Sequence, residues 1–361
     1  MSKQLVLLGS GPGHVRLLAH LAQQPPQSAL SGVKITLITR QPHHIDLRRL
    51  PSFVAGLAPL HACTDALEPL VQKTKAQWLE LSAAELDANA RALLLSDGQE
   101  VRYDWLSIDL EPLQNRDAGE LKLPGTKANG LHVYPTDAFS KLWPRVSEMA
   151  AAKALRVTIV CDNAGAVQDV AAELAAVELT LAIHQALPGS AITLITGGAL
   201  LVSGSTASLR RVLARTLRAK NITVLVDAAV AIQPGQVILS SGATLACDVP
   251  VIATHAHPPG FAANSGLALD ARGFIALDSQ LHSTSHPNVS AMPEGADAHG
   301  LAGQLAQAVA AAAGLPAVSV SRRAEGLQMI SCSDGRAIAS WGGHSAHGRW
   351  VWWLKQWLER Q

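Results

Sequence analysis

The chain has 361 residues, with 29 Lys plus Arg against 28 Asp plus Glu and a formal net charge of +1. That length suffices for two domains, each with its own core. A charge near zero, without a dense basic stripe, argues against nucleic acid as a partner. No apolar run approaches the roughly 20 residues of a membrane-spanning helix. The four cysteines form no Cys-x-x-Cys pair, which argues against a dithiol centre or zinc knuckle and predicts reduced thiols in a cytoplasmic protein.

The first forty residues predict a β-α-β unit. Residues 3–8 are an apolar run typical of a buried strand, residues 15–21 carry apolar side chains at helical spacing, and residues 33–39 predict a second strand. A unit of this length favours parallel strands with a right-handed crossover.

A second β-α-β unit follows a helix that begins at Thr136. Its strands are predicted near 156–160 and 191–196. Further along, the Ala-rich run 301–313 has the composition of a buried helix, and residues 317–361 form a final small unit.

Two stretches of the chain match each other position for position. Residues 93–108 and 237–252 each predict a strand, a Ser-x-Gly turn, a strand ending in x-Asp, and a buried apolar strand. Each lies at a similar distance after a strand-to-helix start, near Gly9 in one case and Cys161 in the other. The repeat is too long for a solenoid unit. It predicts two nucleotide-binding domains of one design.

The loop after the first strand has the form of a dinucleotide-binding loop, with the sequence Gly9-Ser10-Gly11-Pro12-Gly13-His14. Gly9 permits a tight turn, and Gly11 lets the backbone approach a pyrophosphate at the helix N-terminus, where free N–H groups favour anions. His14 stands where a strict G-x-G-x-x-G has its last glycine. The second strand ends in Thr39-Arg40 rather than an acid that grips a ribose. Arg40 therefore faces a phosphate or ends a solvated loop.

The corresponding loop of the second domain, Cys161-Asp162-Asn163-Ala164-Gly165-Ala166, lacks both leading glycines. Asp162 adds a negative charge, and like charges a few ångströms apart cost on the order of 1 kcal/mol. The loop is either a pyridine-nucleotide pocket of altered specificity or part of a fold retained after its ligand was lost. We favour the second interpretation.

Four runs in the second half carry a resemblance to a known family: 248–255, 265–270, 273–275 and 283–289. With the two loops, they make the chain resemble the flavoproteins with two dinucleotide-binding domains of the pyridine nucleotide–disulfide oxidoreductase superfamily. Within it, the chain is most similar to type II NADH dehydrogenases and to the flavoprotein module fused to selenide, water dikinase. The tail, with Asp334 to Trp341 and Gly348 to Trp350, is similar to the C-terminal part of that module.

The resemblance implies an FAD site in the first domain. The family's Gly-Asp, whose carboxylate binds the flavin ribityl chain, falls on Pro293-Glu294, and the helix that faces the flavin pyrimidine ring opens at Gly300-Leu301. The family's glutamate after the second loop falls on Gln168, which makes NAD(P)H binding doubtful. The expected cofactor-binding residues are Gly9, Ser10, Gly11, Pro12, His14, Arg40, Glu294, Gly300 and Leu301.

Other candidate sites are weaker. His255 and His257 share one face of a strand but lack a third ligand, so no metal site is predicted. Ser203-Gly204-Ser205 lacks the setting of a hydrolase nucleophile.

The Trp-rich segment 350–358 is amphipathic. It either packs against the flavin domain or a partner subunit of a homo-oligomer, or docks on a membrane surface, where Lys355 and Arg360 suit anionic lipid.

The sequence thus predicts an α/β fold with two nested Rossmann-like domains and a small C-terminal unit. Residues 1–115 and 255–316 form the FAD-binding domain, 130–250 the NAD(P)-binding-like domain, and 317–361 the C-terminal unit. The predicted function is that of an FAD-dependent oxidoreductase, NADH dehydrogenase-like, which passes electrons from a small-molecule donor to a quinone or similar acceptor. No side chain is assigned as acid, base or nucleophile, because the cofactor carries such chemistry itself. The alternative is a degenerate, non-catalytic module that binds a nucleotide or a protein.

Overall fold

The computed structural model describes residues 3–24, 32–110, 123–161, 170–197, 200–202, 204–253, 258–293, 298–319 and 327–359. The strands are β1 Lys3–Leu8, β2 Val33–Ile38, β3 His43–Ile45, β4 Thr64–Ala66, β5 Gln77–Leu79, β6 Ala83–Asp87, β7 Ala92–Leu95, β8 Glu100–Arg102, β9 Trp105–Ile108, β10 Leu131–His132, β11 Arg156–Val160, β12 Ala191–Ile195, β13 Thr223–Leu225, β14 Ala229–Gln233, β15 Gln236–Leu239, β16 Thr244–Ala246, β17 Val249–Ile252, β18 Val289–Ala291, β19 Gln328–Ser331, β20 Ala337–Trp341 and β21 His344–Gly348. The helices are α1 Pro12–Ala22, α2 Leu50–Val54, α3 Glu68–Thr74, α4 Thr126–Asn129, α5 Thr136–Ala152, α6 Val170–Ala186, α7 Ala207–Ala219, α8 Ala298–Ala313 and α9 Arg349–Glu359, with short 3-10 helices at Leu60–Cys63 and Gly260–Asn264.

The chain divides into two compact units, each assembled from separate segments. The first unit comprises residues 1–46, 64–113 and 257–323, and the second comprises residues 47–63, 114–256 and 324–361. The final residues group with the second unit, as does the short segment that contains α2. The assignment of cofactors to the two units stays a prediction.

The first unit is built on a five-stranded sheet in the order β18-β9-β1-β2-β5, in which every pair is parallel. Both faces of β1 are buried, as is usual for a parallel sheet. Leu5 and Leu7 pack in a core that also holds α1 and α8 residues such as Leu17 and Leu305. Val6 and Leu8 lie in a core shared with the antiparallel strands β6 and β7.

The second unit repeats this plan. Its parallel sheet has the order β10-β17-β11-β12-β13, so each strand has a counterpart at the same place in the first sheet. The antiparallel strands β14-β15-β16 correspond to β6-β7-β8, and both sets carry a register shift in their first pair. The predicted pair of Rossmann-like domains is confirmed.

The repeat extends to single hydrogen bonds. The backbone N–H of Gln4 donates to Asp104 Oδ2 at 2.6 Å, and that of Arg156 donates to Asp248 Oδ2 at 2.9 Å. Each acid directly precedes the parallel strand that follows the antiparallel excursion, β9 or β17, and therefore ties the start of that strand to the start of the central strand, β1 or β11. Hydrogen bonds from the Arg156 side chain and backbone hold the pKa of Asp248 well below its usual range.

Candidate functional site

The carboxyl edge of the first sheet gathers the ends of four parallel strands. Gly9 follows β1, Thr39 follows β2, Asp109 follows β9 and Met292 follows β18. Ligands of open α/β sheets bind at this edge, in the crevice outside the strand ends. The predicted loop residues therefore lie where a dinucleotide would be expected.

The turn after β1 admits only glycine at its first position. Gly9 has a φ of +98°, and a Cβ on it would overlap the backbone carbonyl of Asp109. Its N–H donates to Ile38 O at 2.8 Å, and the N–H of Gly11 donates to Asp109 O at 2.9 Å. The loop is thus held between the ends of β2 and β9.

The N-terminus of α1 is occupied by the side chain of Asp109. Oδ2 of this carboxylate accepts hydrogen bonds from the backbone N–H of Gly13 at 2.7 Å and of His14 at 3.2 Å. Pro12, the first helical residue, has no N–H to offer. A Cβ on Gly11 would overlap Asp109 Oδ1, so the carboxylate also fills the space over this glycine. Asp109 is 1% exposed.

The loop form fits a dinucleotide, but most of its backbone N–H donors already bond within the chain. Of the amides in residues 9–14, that of Ser10 is the one to which the described part of the structure assigns no bond. Asp109 Oδ1, by contrast, is buried without a partner among the described residues. The pyrophosphate of FAD would meet a negative charge here, so its phosphates fit only if the Asp109 side chain turns away.

His14 bridges the loop to β9. Its Nδ1 lies 2.8 Å from Gly9 O and its Nε2 lies 2.7 Å from Ser107 Oγ. Because the carbonyl can only accept, Nδ1 carries the proton and the Ser107 hydroxyl donates to Nε2. Burial lowers the pKa of His14, although Asp109 and the Gly9 carbonyl oppose this effect. A neutral imidazole therefore stands in place of the last glycine of the motif and joins α1 to β9 by hydrogen bonds.

We expect the buried imidazole of His14 to make stability depend on pH. As the pH falls through the ordinary histidine value of 6.5, the unfolded chain binds a proton that the folded chain resists. The wild type should then lose up to about 1.4 kcal/mol per pH unit relative to His14→Asn, which keeps a donor near Gly9 but does not titrate. Urea unfolding of both proteins at about pH 7.5 and about pH 5.5 measures this difference. Parallel losses in the two proteins would contradict the assignment.

Four further predicted residues lie near the loop or in the first turn of α8. The hydroxyl of Thr39 donates to Ser10 Oγ at 3.4 Å, and this bond joins the residues that follow β1 and β2. Arg40 is exposed beside them. Leu301, in the first turn of α8, packs partly buried against the core shared with α1. Gly300 lies in the same turn, whereas Glu294 is outside the described residues.

Asp109 is the residue that sequence reasoning missed. The repeat contains the signal, because Ile108-Asp109-Leu110 corresponds to Ile252-Ala253-Thr254 in the second copy. One copy thus has an acid directly after a buried strand, at the edge where ligands bind. The difference between the copies, rather than their likeness, marks the position.

The second loop begins as the first one does. Cys161 is buried, and its N–H donates to Ile195 O at 3.0 Å, as that of Gly9 donates to Ile38 O. Residues 162–169, with Asp162 and Gln168, lie outside the described residues. The altered loop and its effect on NAD(P)H stay predictions.

The remaining sequence candidates concern a metal site, a hydrolase nucleophile and the cysteines. Within the described ranges, no group of three His, Cys, Asp or Glu side chains could hold a metal ion. His255, His257 and Ser203 are outside these ranges. Burial raises the pKa of Cys332 to about 12 and raises that of Cys247, so neither thiol is a thiolate at neutral pH.

The helix α9 exposes an aromatic face. Trp350, Trp353 and Trp357 are 62%, 65% and 56% exposed, with Leu354 between them. The opposite face is buried through Val351 and Lys355. Lys355 Nζ lies 3.4 Å from Glu178 Oε1, which corrects the expectation that this lysine reaches lipid. None of the described helices is both long and apolar enough to span a bilayer.

Comparisons with known proteins agree with this fold. Residues 170–314 match the family model described as pyridine nucleotide-disulphide oxidoreductase. A segment of 112 residues is 26% identical to a sulfide-quinone reductase of Aquifex aeolicus, and covers 31% of this chain but only 25% of that relative. The chain therefore matches about a quarter of its curated relative's length.

Two solved structures resemble almost the whole chain. The sulfide:quinone oxidoreductase from A. aeolicus has a TM-score of 0.76 at 16% identity, over 99% of this chain and 90% of that one. NDH2 from Plasmodium falciparum, solved with NADH, has a TM-score of 0.76 at 12% identity, over 99% and 94%. At identities this low, the structural similarity establishes the fold alone. Together the matches confirm the predicted resemblance to pyridine nucleotide–disulfide oxidoreductases and the predicted fold class.

Proposed function

We propose that this chain, a relative of the pyridine nucleotide–disulfide oxidoreductases, is an FAD-dependent oxidoreductase that passes electrons to a quinone or similar small acceptor. The observation that carries the proposal is the β1–α1 turn. Gly9 and Gly11 leave no room for a Cβ at the carboxyl edge of a parallel sheet. Close backbone approach at this place is what a dinucleotide requires. The oxidoreductase class also agrees with the family model that the chain matches.

The chain's own groups would bind and orient the cofactor. The amide of Ser10 would hold the pyrophosphate, together with those of Gly13 and His14 once Asp109 has turned away. The first turn of α8 would favour negative charge on the flavin ring. Glu294 would accept a hydrogen bond from the ribityl chain. Bound FAD would supply the two-electron chemistry.

The electron donor is proposed to be a small molecule other than NADH. Cys161 takes the place that Gly9 has in the first loop, with its N–H donating to Ile195 O as that of Gly9 donates to Ile38 O. A cysteine has a Cβ and therefore lacks the backbone freedom that glycine gives this turn. The buried thiols of Cys247 and Cys332, with their raised pKa values, are unsuited to relay electrons as thiolates. The proposal therefore places the redox chemistry on the flavin alone.

Reconstitution with FAD tests the proposed function. The purified protein is incubated with FAD and desalted, and retained flavin is read from its visible spectrum. We expect the wild type to retain FAD. Glu294→Gln should weaken FAD binding by about one to two orders of magnitude, because a charge-assisted hydrogen bond is worth roughly 1.5–3 kcal/mol.

Anaerobic NADH should reduce the bound flavin slowly or not at all, whereas dithionite should bleach it.

The alternative function is a non-catalytic module that binds a nucleotide or a protein. The position of Asp109 on the loop amides favours it, since a loop that has satisfied its own donors no longer requires a phosphate. A protein that retains no FAD and shows no flavin reduction would support the alternative over the oxidoreductase.

The aromatic face of α9 is proposed to dock on a membrane surface, where the protein would have access to a quinone dissolved in the lipid. Indole rings prefer the interface between water and lipid. Because Lys355 is buried against Glu178, the exposed part of α9 is largely apolar. The contact should therefore depend on buried apolar area more than on anionic lipid.

Vesicle sedimentation measures this contact. Each exposed indole of Trp350, Trp353 and Trp357 offers on the order of 100 Å², worth about 2 kcal/mol when removed from water. Replacing all three by Gln should lower partition into phosphatidylcholine vesicles roughly a hundredfold or more. The matched control is Leu142→Gln with Met149→Gln, which removes two exposed apolar side chains from α5. Equal partition of both variants would contradict membrane docking by α9.

A further inference from the structure

The carboxylate of Asp109 uses its two oxygens differently. Oδ2 accepts from Gly13 N and His14 N, and so satisfies the first turn of α1. Oδ1 points over Gly11, fully buried, with no partner among the described residues. A buried carboxylate oxygen without a donor is costly. This arrangement places a negative oxygen where a diphosphate oxygen would lie.

An ordinary helix cap does not account for this geometry. The capping oxygen of a helix is usually supplied by the residue at its N-cap, which here is Gly11. Asp109 instead comes from the end of β9, 95 residues after His14 in the chain. In the second copy of the repeat, Ala253 stands at the corresponding place. The acid is therefore a feature of the loop that kept its glycines.

We propose that Asp109 is an internal anion that occupies the diphosphate position of the β1–α1 loop, and that a dinucleotide binds there only when this carboxylate turns away. This inference rests on the proposed function, because it concerns the same site. It makes Asp109 a determinant of cofactor affinity. Removing the carboxylate should open a site for a diphosphate, with donors from Gly13 and His14.

The test compares the wild type with Asp109→Ala and Asp109→Asn. FAD dissociation constants are measured by quenching of flavin fluorescence, and ADP, which carries a diphosphate without a flavin, is tested by its effect on the melting temperature. Asp109→Ala should bind FAD at least about tenfold more tightly than the wild type, a difference of about 1.4 kcal/mol. Asp109→Asn should gain less, because its amide oxygen still accepts from Gly13.

A matched control removes a helix cap elsewhere. Thr206 caps α7 in the second unit by accepting from Leu209 N at 3.3 Å. Thr206→Ala should lower the melting temperature but leave FAD affinity unchanged. Asp109→Ala should also lower the melting temperature, because it loses the bonds to α1. The control thus separates an effect on the site from a general loss of stability.

The outcomes separate this inference from the proposed function. Equal or weaker FAD binding by Asp109→Ala overturns the inference, while FAD bound by the wild type leaves the function in place. If no protein binds FAD but ADP stabilises only Asp109→Ala, the inference stands and the function fails. If ADP and FAD affect none of the proteins, the inference is wrong. Should Asp109→Ala not fold, Asp109→Asn decides: tighter FAD binding than the wild type supports the inference, and equal binding overturns it.

Discussion

Gly9→Ala is expected to destabilise the first unit by about 3 kcal/mol, because strain and steric overlap act together at this position. The φ of +98° is unfavourable for any residue with a Cβ, and that Cβ would overlap the backbone carbonyl of Asp109. This carbonyl directly follows β9, and the N–H of Asp109 donates to Leu8 O, so it cannot move aside as a flexible side chain can. Urea unfolding followed by circular dichroism measures the loss.

Gly98→Ala is the matched control for this substitution. Gly98 has a φ of +86° in the same unit, but a Cβ on it would meet no atom within 4 Å. Its cost should be about 1 kcal/mol, from backbone strain alone. Equal losses in the two variants would show that the close approach of β9 to the loop contributes nothing, and would remove the observation on which the proposed dinucleotide site depends.

The parts of this fold that follow from local pattern could be predicted. The strand, turn and helix around Gly9 depend on neighbouring residues, and the positive φ at Gly9 is a property of glycine in such a turn. The repeat aligns Asp104 with Asp248, and the structure shows that both acids accept the same kind of hydrogen bond from a central strand. Repetition within one sequence carries information that otherwise requires many relatives.

Asp109 could not be placed in the same way. Its bonds join residues 95 and 96 positions apart, and no spacing rule links them. The motif places donors at Gly13 and His14 for an external phosphate, and the sequence alone cannot indicate that the chain supplies its own acceptor. A glycine-rich loop therefore predicts where an anion lies, but not which anion.

The orientation of α9 was likewise beyond the sequence. The helical spacing of its residues correctly separates an aromatic face from the opposite face, since Trp350, Trp353 and Trp357 are exposed together. The usual expectation turns the apolar face inward and the charged residue outward. Here Lys355 turns inward because Glu178, on α6, offers a buried partner, and the indoles remain outside. The position of Glu178 beside Lys355 depends on how α9 packs within the second unit. The periodicity of the sequence carries no information on that packing.

Lys355→Met is therefore expected to cost about 3 kcal/mol of stability, since breaking a buried ion pair leaves a charge without its partner. The side chains of Lys355 and Glu178 are only 6% and 13% exposed, with Nζ and Oε1 3.4 Å apart. Glu178 also accepts from Ser331 N at 2.7 Å, so its carboxylate stays in place when the lysine charge is removed. Methionine keeps most of the volume, so the loss reports on the charge. Thermal unfolding of the wild type and the variant measures it.

The matched control is Lys141→Met on α5, whose ion pair is shorter but exposed. Lys141 Nζ lies 2.7 Å from Asp137 Oδ2, and the two side chains are 70% and 21% exposed. A pair of this kind at helical spacing contributes roughly 0.3–0.5 kcal/mol. If distance decided the strength of these pairs, Lys141→Met would be the more damaging change. Because burial decides it, we expect Lys355→Met to lower the melting temperature several times more, and the reverse order would refute the buried pair as the anchor of α9.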